Sequence, residues 1–352
     1  MSTAPACLGH GRVTITPALR AAVDRLDHRS RHQAAYHFGW ITAGGAPTSA
    51  DAGKAVRPAL ALLSAEAVGA PPEVALPGAV AVELVHNFSL VHDDLMDGDE
   101  ERRHRRTVWK LWGSSSAILT GDAMLALAQE VLLDTGLPTA APAARLLART
   151  TRHLIRGQVQ DLAFEQRSHV TVEECVDMAA GKTGALLSAS AAIGAVLAGA
   201  PEATVDALAL YGDQVGLAFQ LVDDVLGIWG DPAVTGKPVH SDLRSRKKSL
   251  PVSYALNQEG PLSDELAAWL AAPGGPGGAG KPGEPGELGE PGEAELRRVA
   301  GLIEGAGGRD WALAEAARRL ALAEDALRGV ELDAGARDEL LALGRFVVDR
   351  EV

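Results

Sequence analysis

The sequence predicts an all-α, single-domain helical bundle, and three observations carry that prediction. Apolar residues make up 47% of the 352 positions while aromatics are only 4%, and with few β-branched runs that composition favours helices packed on helices. Apolar residues recur at helical rather than alternating spacing, most clearly at Val80, Leu84, Phe88, Val91 and Leu95. Strict strand alternation is absent.

Taken in order, Thr16-Pro17 followed by Leu19, Val23 and Leu26 reads as a capped helix start with proline in its first turn. Arg57-Pro58 opens a run to Val68 that Gly69 and Pro71-Pro72 end, and the next helix extends from Glu73 to about Asp97. Further helices are expected near 114–135, 142–165, 172–180, 183–199 and 203–229, about ten in all, with no strand. Residues Pro273 to Glu293 are almost wholly Gly, Pro and Glu, a composition that cannot build a core and is expected to be disordered. Its triplet register breaks too soon for collagen. Helical spacing resumes with Trp311, Leu313, Leu320, Leu327 and Leu340, so the tract is an insertion within one domain spanning 1–352.

A net charge of −13 argues against a nucleic-acid partner. Cys7 and Cys175 cannot frame a disulfide scaffold and lack metal-ligand spacing. No stretch is expected to span a membrane: the best candidate, Leu186 to Ala200, is short and rich in small residues. The first twelve residues hold no apolar signal core, so a reduced, cytoplasmic setting is the expectation.

The chemistry concentrates at His92-Asp93-Asp94-Leu95-Met96-Asp97. Asp93 and Asp97 are four apart and project from one helical face, with His86 and Leu90 continuing that face upstream. Carboxylates so placed repel by roughly 4 kcal/mol per pair at 4 Å and an effective dielectric of 20. Hard oxygen ligands with no cysteine nearby point to magnesium shared with phosphate oxygens. Arg102-Arg103 and Arg105-Arg106 follow, and guanidinium forks suit phosphate. A solvated acidic helix end beside a charged loop is the plainer alternative.

A second acidic patch closes another apolar helix at Phe219-Gln220-Leu221-Val222-Asp223-Asp224, with Gln220 on the face of the aspartates. It leads into Gly236-Lys237-Pro238, Ser241-Asp242 and Arg244-Ser245-Arg246-Lys247-Lys248. Two such arrangements in one helical chain suggest carboxylates facing each other across a cavity, with metal and diphosphate between.

With Gly53-Lys54-Ala55-Val56-Arg57-Pro58, Gly121-Asp122-Ala123 and Gly181-Lys182-Thr183-Gly184 added in order, the chain resembles the trans-isoprenyl diphosphate synthases (polyprenyl synthetases) from about Gly53 to Pro251. The resemblance implies an isoprenoid-synthase-type bundle around a central cavity, working as a homodimer with three Mg2+ ions. By the same resemblance Asp93, Asp94, Asp97, Asp223 and Asp224 bind magnesium. Arg102, Lys182, Gln220 and Lys237 contact the allylic diphosphate, with Lys247 at its edge. Lys54, Arg57, His86 and Arg103 cradle isopentenyl diphosphate, and Thr183 lines the reacting region. Asp93, Asp94, Lys182, Asp223 and Lys237 are the catalytic set.

Chain length in the family is governed by residues a turn upstream of the first motif, where Phe88 lies five positions and Ser89 four before Asp93. A small Ser89 above a bulky Phe88 implies an intermediate, C20 product, geranylgeranyl diphosphate. One departure stands out: Gly227 occupies the third-aspartate position of the second motif. If the helix continued, Asp231 would lie on nearly the same face about 10 Å on, too far to ligate the same ion directly but able to hold a metal-bound water. Two rivals share the fold. A terpene cyclase would carry an Asn/Ser/Glu metal motif that is missing near Asp223, and a non-catalytic partner subunit has only Gly227 in its favour.

Overall fold

A computed structural model describes residues 5–48, 55–231, 239–272 and 291–348. Among these the chain runs α1 (Ala6–Val23), α2 (His28–His37), α3 (Val56–Glu66), a 3-10 turn (Pro72–Ala75) and α4 (Leu76–Met96). A hairpin of β1 (Glu101–Arg102) and β2 (Arg105–Arg106) leads to α5 (Val108–Trp112), α6 (Ser114–Leu133), α7 (Ala140–Glu165) and α8 (Val172–Ala179). A π-helical turn (Ala180–Gly184) continues into α9 (Ala185–Leu197), followed by α10 (Glu202–Trp229), α11 (Ser241–Arg244) and α12 (Leu250–Leu256). The chain closes with α13 (Pro261–Ala271), α14 (Glu293–Gly305), α15 (Gly308–Arg328) and α16 (Ala334–Val348). The all-α expectation holds, with more and shorter helices than the ten expected.

Helix α4 is the spine of the largest core. Val80, Leu84, Val85, Phe88 and Val91 are buried in one cluster with Met124 and Leu127 of α6 and Ile193 and Leu197 of α9. A second cluster joins α3, α9, α10 and α16 through Leu60, Leu63, Leu187, Leu208, Tyr211 and Leu340. A third wraps the far half of α10, where Leu217, Leu221 and Val225 meet Cys175, Leu250 and Ala316. The two motif-bearing helices, α4 and α10, are thus each immobilised along their apolar faces.

Several expectations are corrected. The first helix begins at Ala6, with Pro17 inside it. Leu8, Ile15, Leu19 and Val23 are all buried on one stripe, and that burial carries the helix through the proline. The segment expected to be a loop after Asp97 holds an antiparallel hairpin, Glu101 opposite Arg106 and Arg102 opposite Arg105. Helix α10 ends at Trp229 and Gly230 is extended, so Asp231 leaves the helix axis rather than continuing the metal-facing stripe. Three helical stretches, Pro72–Met96, Ser114–Leu133 and Val172–Leu197, are long and apolar enough to cross a membrane. The sequence expectation required an unbroken apolar run, whereas these tolerate polar breaks. Pro72–Met96 and Val172–Leu197 are mostly buried in the bundle, and Ser114–Leu133 is the least covered at 39%.

The insertion expected at 273–293 lies outside the described residues except for its last three positions. Its flanks are tied together. Leu266 and Trp269 of α13 share a core with Leu296 and Val299 of α14, and the Trp269 indole donates to Glu295 at 2.6 Å. Glu293 accepts from Arg244 at 2.7 Å and lies 3.1 Å from His240. Replacing residues 273–290 with a six-residue Gly/Ser linker, Glu293 retained, should therefore change unfolding free energy by about 1 kcal/mol or less in a denaturant titration. Loss of cooperative unfolding would show that the tract makes required contacts.

Candidate active site

At the end of α4, Asp93 and Asp97 share a face, while Asp94 turns inward and is only 1% exposed. One Asp94 oxygen accepts from Arg102 Nε at 2.6 Å, and the other, Oδ2, is buried without a hydrogen-bond partner. Burial pushes the Asp94 carboxyl up to about 6 against the pull of Arg102. The hairpin presents Arg102, and its turn residues Arg103 and His104 both take positive φ, 52° and 60°. That is the backbone of a type I′ turn, which glycine or asparagine adopts more easily.

Helix α7 and the π-helical turn supply the next layer. Lys182 Nζ donates to Asp161 Oδ2 at 2.7 Å. A β-carbon at Gly157 would lie 2.3 Å from the Lys182 backbone nitrogen, so only glycine lets α7 approach this closely. Burial raises the carboxyls of Asp93 and Asp97; the Lys182 ammonium opposes this for both, and the Asp161 charge adds to it.

Across from this lies the α10 cluster. Thr183 donates to Gln220 at 2.7 Å, Gln220 donates to Asp224 Oδ1 at 2.8 Å, and the Leu250 amide donates to Asp224 Oδ2 at 2.9 Å. Lys247 stands 3.7 Å from the same carboxylate. Burial raises the Asp224 carboxyl to about 6. Burial also works against the Lys247 ammonium, yet Asp224, Asp242, Asp161 and Asp223 together hold its pKa well above normal. Lys247 acts on Asp97 as well. The two aspartate motifs therefore face each other across the Lys182–Asp161 pair and Lys247.

At the departure from the motif, a β-carbon on Gly227 would lie 2.5 Å from Asp242 Oδ2. The carboxylate missing from position 227 is matched by one that α11 delivers into the same space.

A third group surrounds His86, two turns upstream of Asp93 on α4. Arg57 Nη1 is 3.3 Å from His86 Nε2. Burial lowers Arg57 to about 10, opposed by Glu83. Burial, with Arg57 and Arg103, drives His86 far below its ordinary value. Burial, with Arg102 and Arg103, takes His37 down to about 3. His37, Asp94 and Arg102, Arg103, Arg105 and Arg106 line a cavity of about 20 Å³, with the arginines outnumbering the one carboxylate. Neutral histidines among arginines leave a positively charged, hydrogen-bonding surface suited to an anion.

Of the residues singled out in the sequence, Asp93, Asp94, Asp97, Arg102, Lys182, Thr183, Gln220, Asp223, Asp224 and Lys247 converge on the first two clusters, and Arg57, His86 and Arg103 on the third. Arg102 and Lys182 are engaged with Asp94 and Asp161. Lys54 and Lys237 lie outside the described residues. Sequence reading missed Asp161 and His37, and named Asp242 within the second acidic patch without giving it a role. Asp161 has a local signal in Gly157-Gln158-Val159-Gln160-Asp161, a glycine followed by polar residues in an otherwise amphipathic helix, while His37 has none.

Comparison with known proteins decides the family. Residues 40–273 match the family described as polyprenyl synthetase. The chain belongs to the polyprenyl synthetase family. A Mycobacterium tuberculosis protein named (2E,6E)-farnesyl diphosphate synthase is 52% identical over 344 residues, covering 98% of this chain and 92% of its own. A geranylgeranyl diphosphate synthase from the same organism is 40% identical over 349 residues, 98% and 94% of the two chains. The crystal structure of a polyprenyl synthetase from Streptomyces coelicolor A3(2) superposes with a TM-score of 0.91 at 55% identity, covering 97% and 99%. Within the polyprenyl synthetase family the chain is a trans-prenyltransferase.

The family uses Mg2+ to bind diphosphate. The donors present fit that ion: all are carboxylates, and Asp94 Oδ2 is a buried acceptor with no hydrogen-bond partner. Among the described residues no three ligand side chains cluster tightly enough to cage a metal. Magnesium asks for no such cage, since it takes one or two carboxylates and fills its shell with water and phosphate oxygens.

Gly227→Asp should displace Asp242 and place a second charge beside Asp224. We expect a loss of about 1–3 kcal/mol of stability and a higher magnesium requirement in turnover assays. Unchanged values for both would mean that the space is not shared.

The pH dependence has a defined sign. The Asp94 carboxyl titrates at about 6 in the fold against 3.8 ordinarily, so the ion-free protein loses stability as pH rises through that window. Magnesium with inorganic diphosphate binds the ionised form. Its thermal stabilisation should be largest at pH 8 and shrink below about 6. An equal shift at pH 5 and pH 8 would contradict this.

Proposed function

We propose that the chain condenses isopentenyl diphosphate with an allylic diphosphate (dimethylallyl, geranyl or farnesyl) to make a trans-polyprenyl diphosphate. The observation that carries this reading is the confrontation of the two aspartate clusters across Lys182 and Lys247, beside an arginine–histidine group that adjoins the first cluster through Arg102. Two anion sites of different chemistry suit two diphosphates.

Asp93, Asp97, the free oxygen of Asp94, and Asp223 would hold Mg2+, for which we retain three ions. Asp224 has both oxygens engaged and contributes its charge while fixing Gln220 and Lys247. Bound magnesium supplies positive charge to the departing diphosphate. Lys182, Lys247, Gln220, Arg102 and Lys237 orient that same group, so the allylic C–O bond ionises within a preorganised field. Arg57, His86, Arg103 and Lys54 hold isopentenyl diphosphate with its double bond toward the allylic carbon, and Thr183 lines the space between. The double bond attacks the cation, a C–C bond forms, and the proton released passes to the departing diphosphate.

We further propose that 1–352 is one domain with an insertion at 273–293, and that it works in the cytoplasm as a homodimer. Ile118, Leu119 and Leu133 of α6 and Ile155 and Val159 of α7 are exposed, and an apolar face of this kind suits a second copy of the chain.

The product we assign is C20 geranylgeranyl diphosphate. Ser89 is buried and its hydroxyl is turned back onto the His86 carbonyl at 2.8 Å, leaving a narrow side chain at the upper level. Phe88 is 4% exposed and fills the level below. A C15 product is the second reading, favoured by the 52% identical relative named a farnesyl diphosphate synthase.

Chromatography of dephosphorylated products from geranyl and farnesyl primers separates the two: a dominant C20 alcohol supports the assignment, and a C15 end product overturns it. Phe88→Ala should lengthen the product, and an unchanged distribution would place the floor elsewhere. Asp93→Ala should lower turnover by about 100-fold or more with helical circular dichroism unchanged; near-normal turnover would remove Asp93 from the site.

A further inference from the structure

The Phe88 ring does not hold its place alone. The His92 ring, one turn on along α4, meets it edge-on, with centroids 5.2 Å apart and planes at 80°. His92 is in turn fixed from α6: its Nε2 lies 3.1 Å from the Ile118 carbonyl oxygen, a distance at which the ring N–H donates. The space it occupies exists only because position 121 lacks a side chain. A β-carbon on Gly121 would fall 2.2 Å from His92 Nε2 and 2.4 Å from Cδ2. Backbone carbonyl, imidazole and phenyl ring thus form a continuous strut from α6 to α4. Its last member is the residue assigned to the floor of the product pocket.

An edge-on aromatic contact is directional. A hydrogen bond that sets the imidazole plane therefore also sets which orientation of the Phe88 ring packs best. Without the strut the phenyl ring keeps the apolar packing of its core cluster but loses the edge-on partner that sets its plane, and can turn away from a growing chain. The histidine touches neither the carboxylate cluster across the cavity nor the arginine–histidine anion site in the contacts described above. Its ring contacts lead to Phe88 and to α6, where Asp122 Oδ1 also lies 3.9 Å from Nε2. That helix is also the one whose outer face, with Ile118 45% and Leu119 64% exposed, we assign to the second copy.

We propose that His92 is a positioning residue for product length: held by the Ile118 carbonyl in the gap at Gly121, it fixes the Phe88 ring as the pocket floor. The proposal rests on the assignment of Phe88 as that floor. The test is the product distribution of the full-length enzyme from farnesyl diphosphate and isopentenyl diphosphate, for wild type, Phe88→Ala, His92→Ala and the double variant. The expected result is that His92→Ala raises the proportion of products longer than wild type by about five-fold or more. The rate of the first condensation should stay within about three-fold, since the residue acts on the floor and not on ionisation. The double variant should make products no longer than Phe88→Ala alone, because one residue acts through the other.

If Phe88→Ala lengthens the product and His92→Ala does not, the strut is refuted while the floor stands. If neither lengthens it, the floor assignment fails and takes the strut with it. Additive lengthening in the double variant would also overturn the proposal. Should His92→Ala fold poorly, Gly121→Ala gives the same readout with the histidine retained, because the added methyl takes the place of the ring. An unchanged product from a folded Gly121→Ala enzyme refutes the strut equally.

Discussion

Everything in the site follows from the repulsion among carboxylates that the fold forces together. Asp93, Asp97, Asp161, Asp223, Asp224 and Asp242 act on one another or on shared lysines, and burial lifts several of them above their ordinary range. Each close pair opposes folding by roughly 4 kcal/mol at 4 Å and an effective dielectric of 20. Lys182 and Lys247 answer part of that charge within the chain. The remainder is a standing affinity for cations, and through them for an anionic ligand. A site so arranged stabilises negative charge leaving carbon, because the countercharge is in place before the bond breaks.

The hydrophobic clusters explain why the chain tolerates this. Val80 to Val91 on α4 and Leu217 to Val225 on α10 are buried along one face of each helix, so the helices cannot splay to relieve the repulsion. The close approach of α7 at Gly157 and the π-helical turn at Lys182 bring a lysine to the gap between them. A π-helical turn is a local distortion that recurs where side chains must be re-aimed for function. The arginine–histidine group uses another device: two half-buried histidines kept neutral by desolvation and by neighbouring arginines, which adds hydrogen-bonding capacity without adding charge.

Much of this was legible in the sequence because helical spacing is a one-dimensional signal. Asp93 with Asp97, and Gln220 with Asp224, share faces by counting alone, and the core of α4 follows from the same period. What stayed hidden depends on distance in space. Asp161 meets Lys182 across 21 positions, and nothing in either segment announces the other. Gly227 read as a missing ligand, since no sequence rule says that the Asp242 carboxylate fills its space. Asp231 could hold a metal-bound water only if the helix continued past Trp229, and extended Gly230 ends it there. Pro17 read as a helix start because local propensity was weighed without the buried stripe from Leu8 to Val23 that overrides it.

The central claim, that facing carboxylate clusters drive ionisation of one diphosphate so that the double bond of another can capture the cation, is tested most directly by incorporation of labelled isopentenyl diphosphate into acid-labile product. The pure protein should incorporate label only when an allylic diphosphate and magnesium are both present, and incorporation should stop when magnesium is chelated. Label consumption without an allylic primer, or undiminished incorporation in excess chelator, would contradict the account.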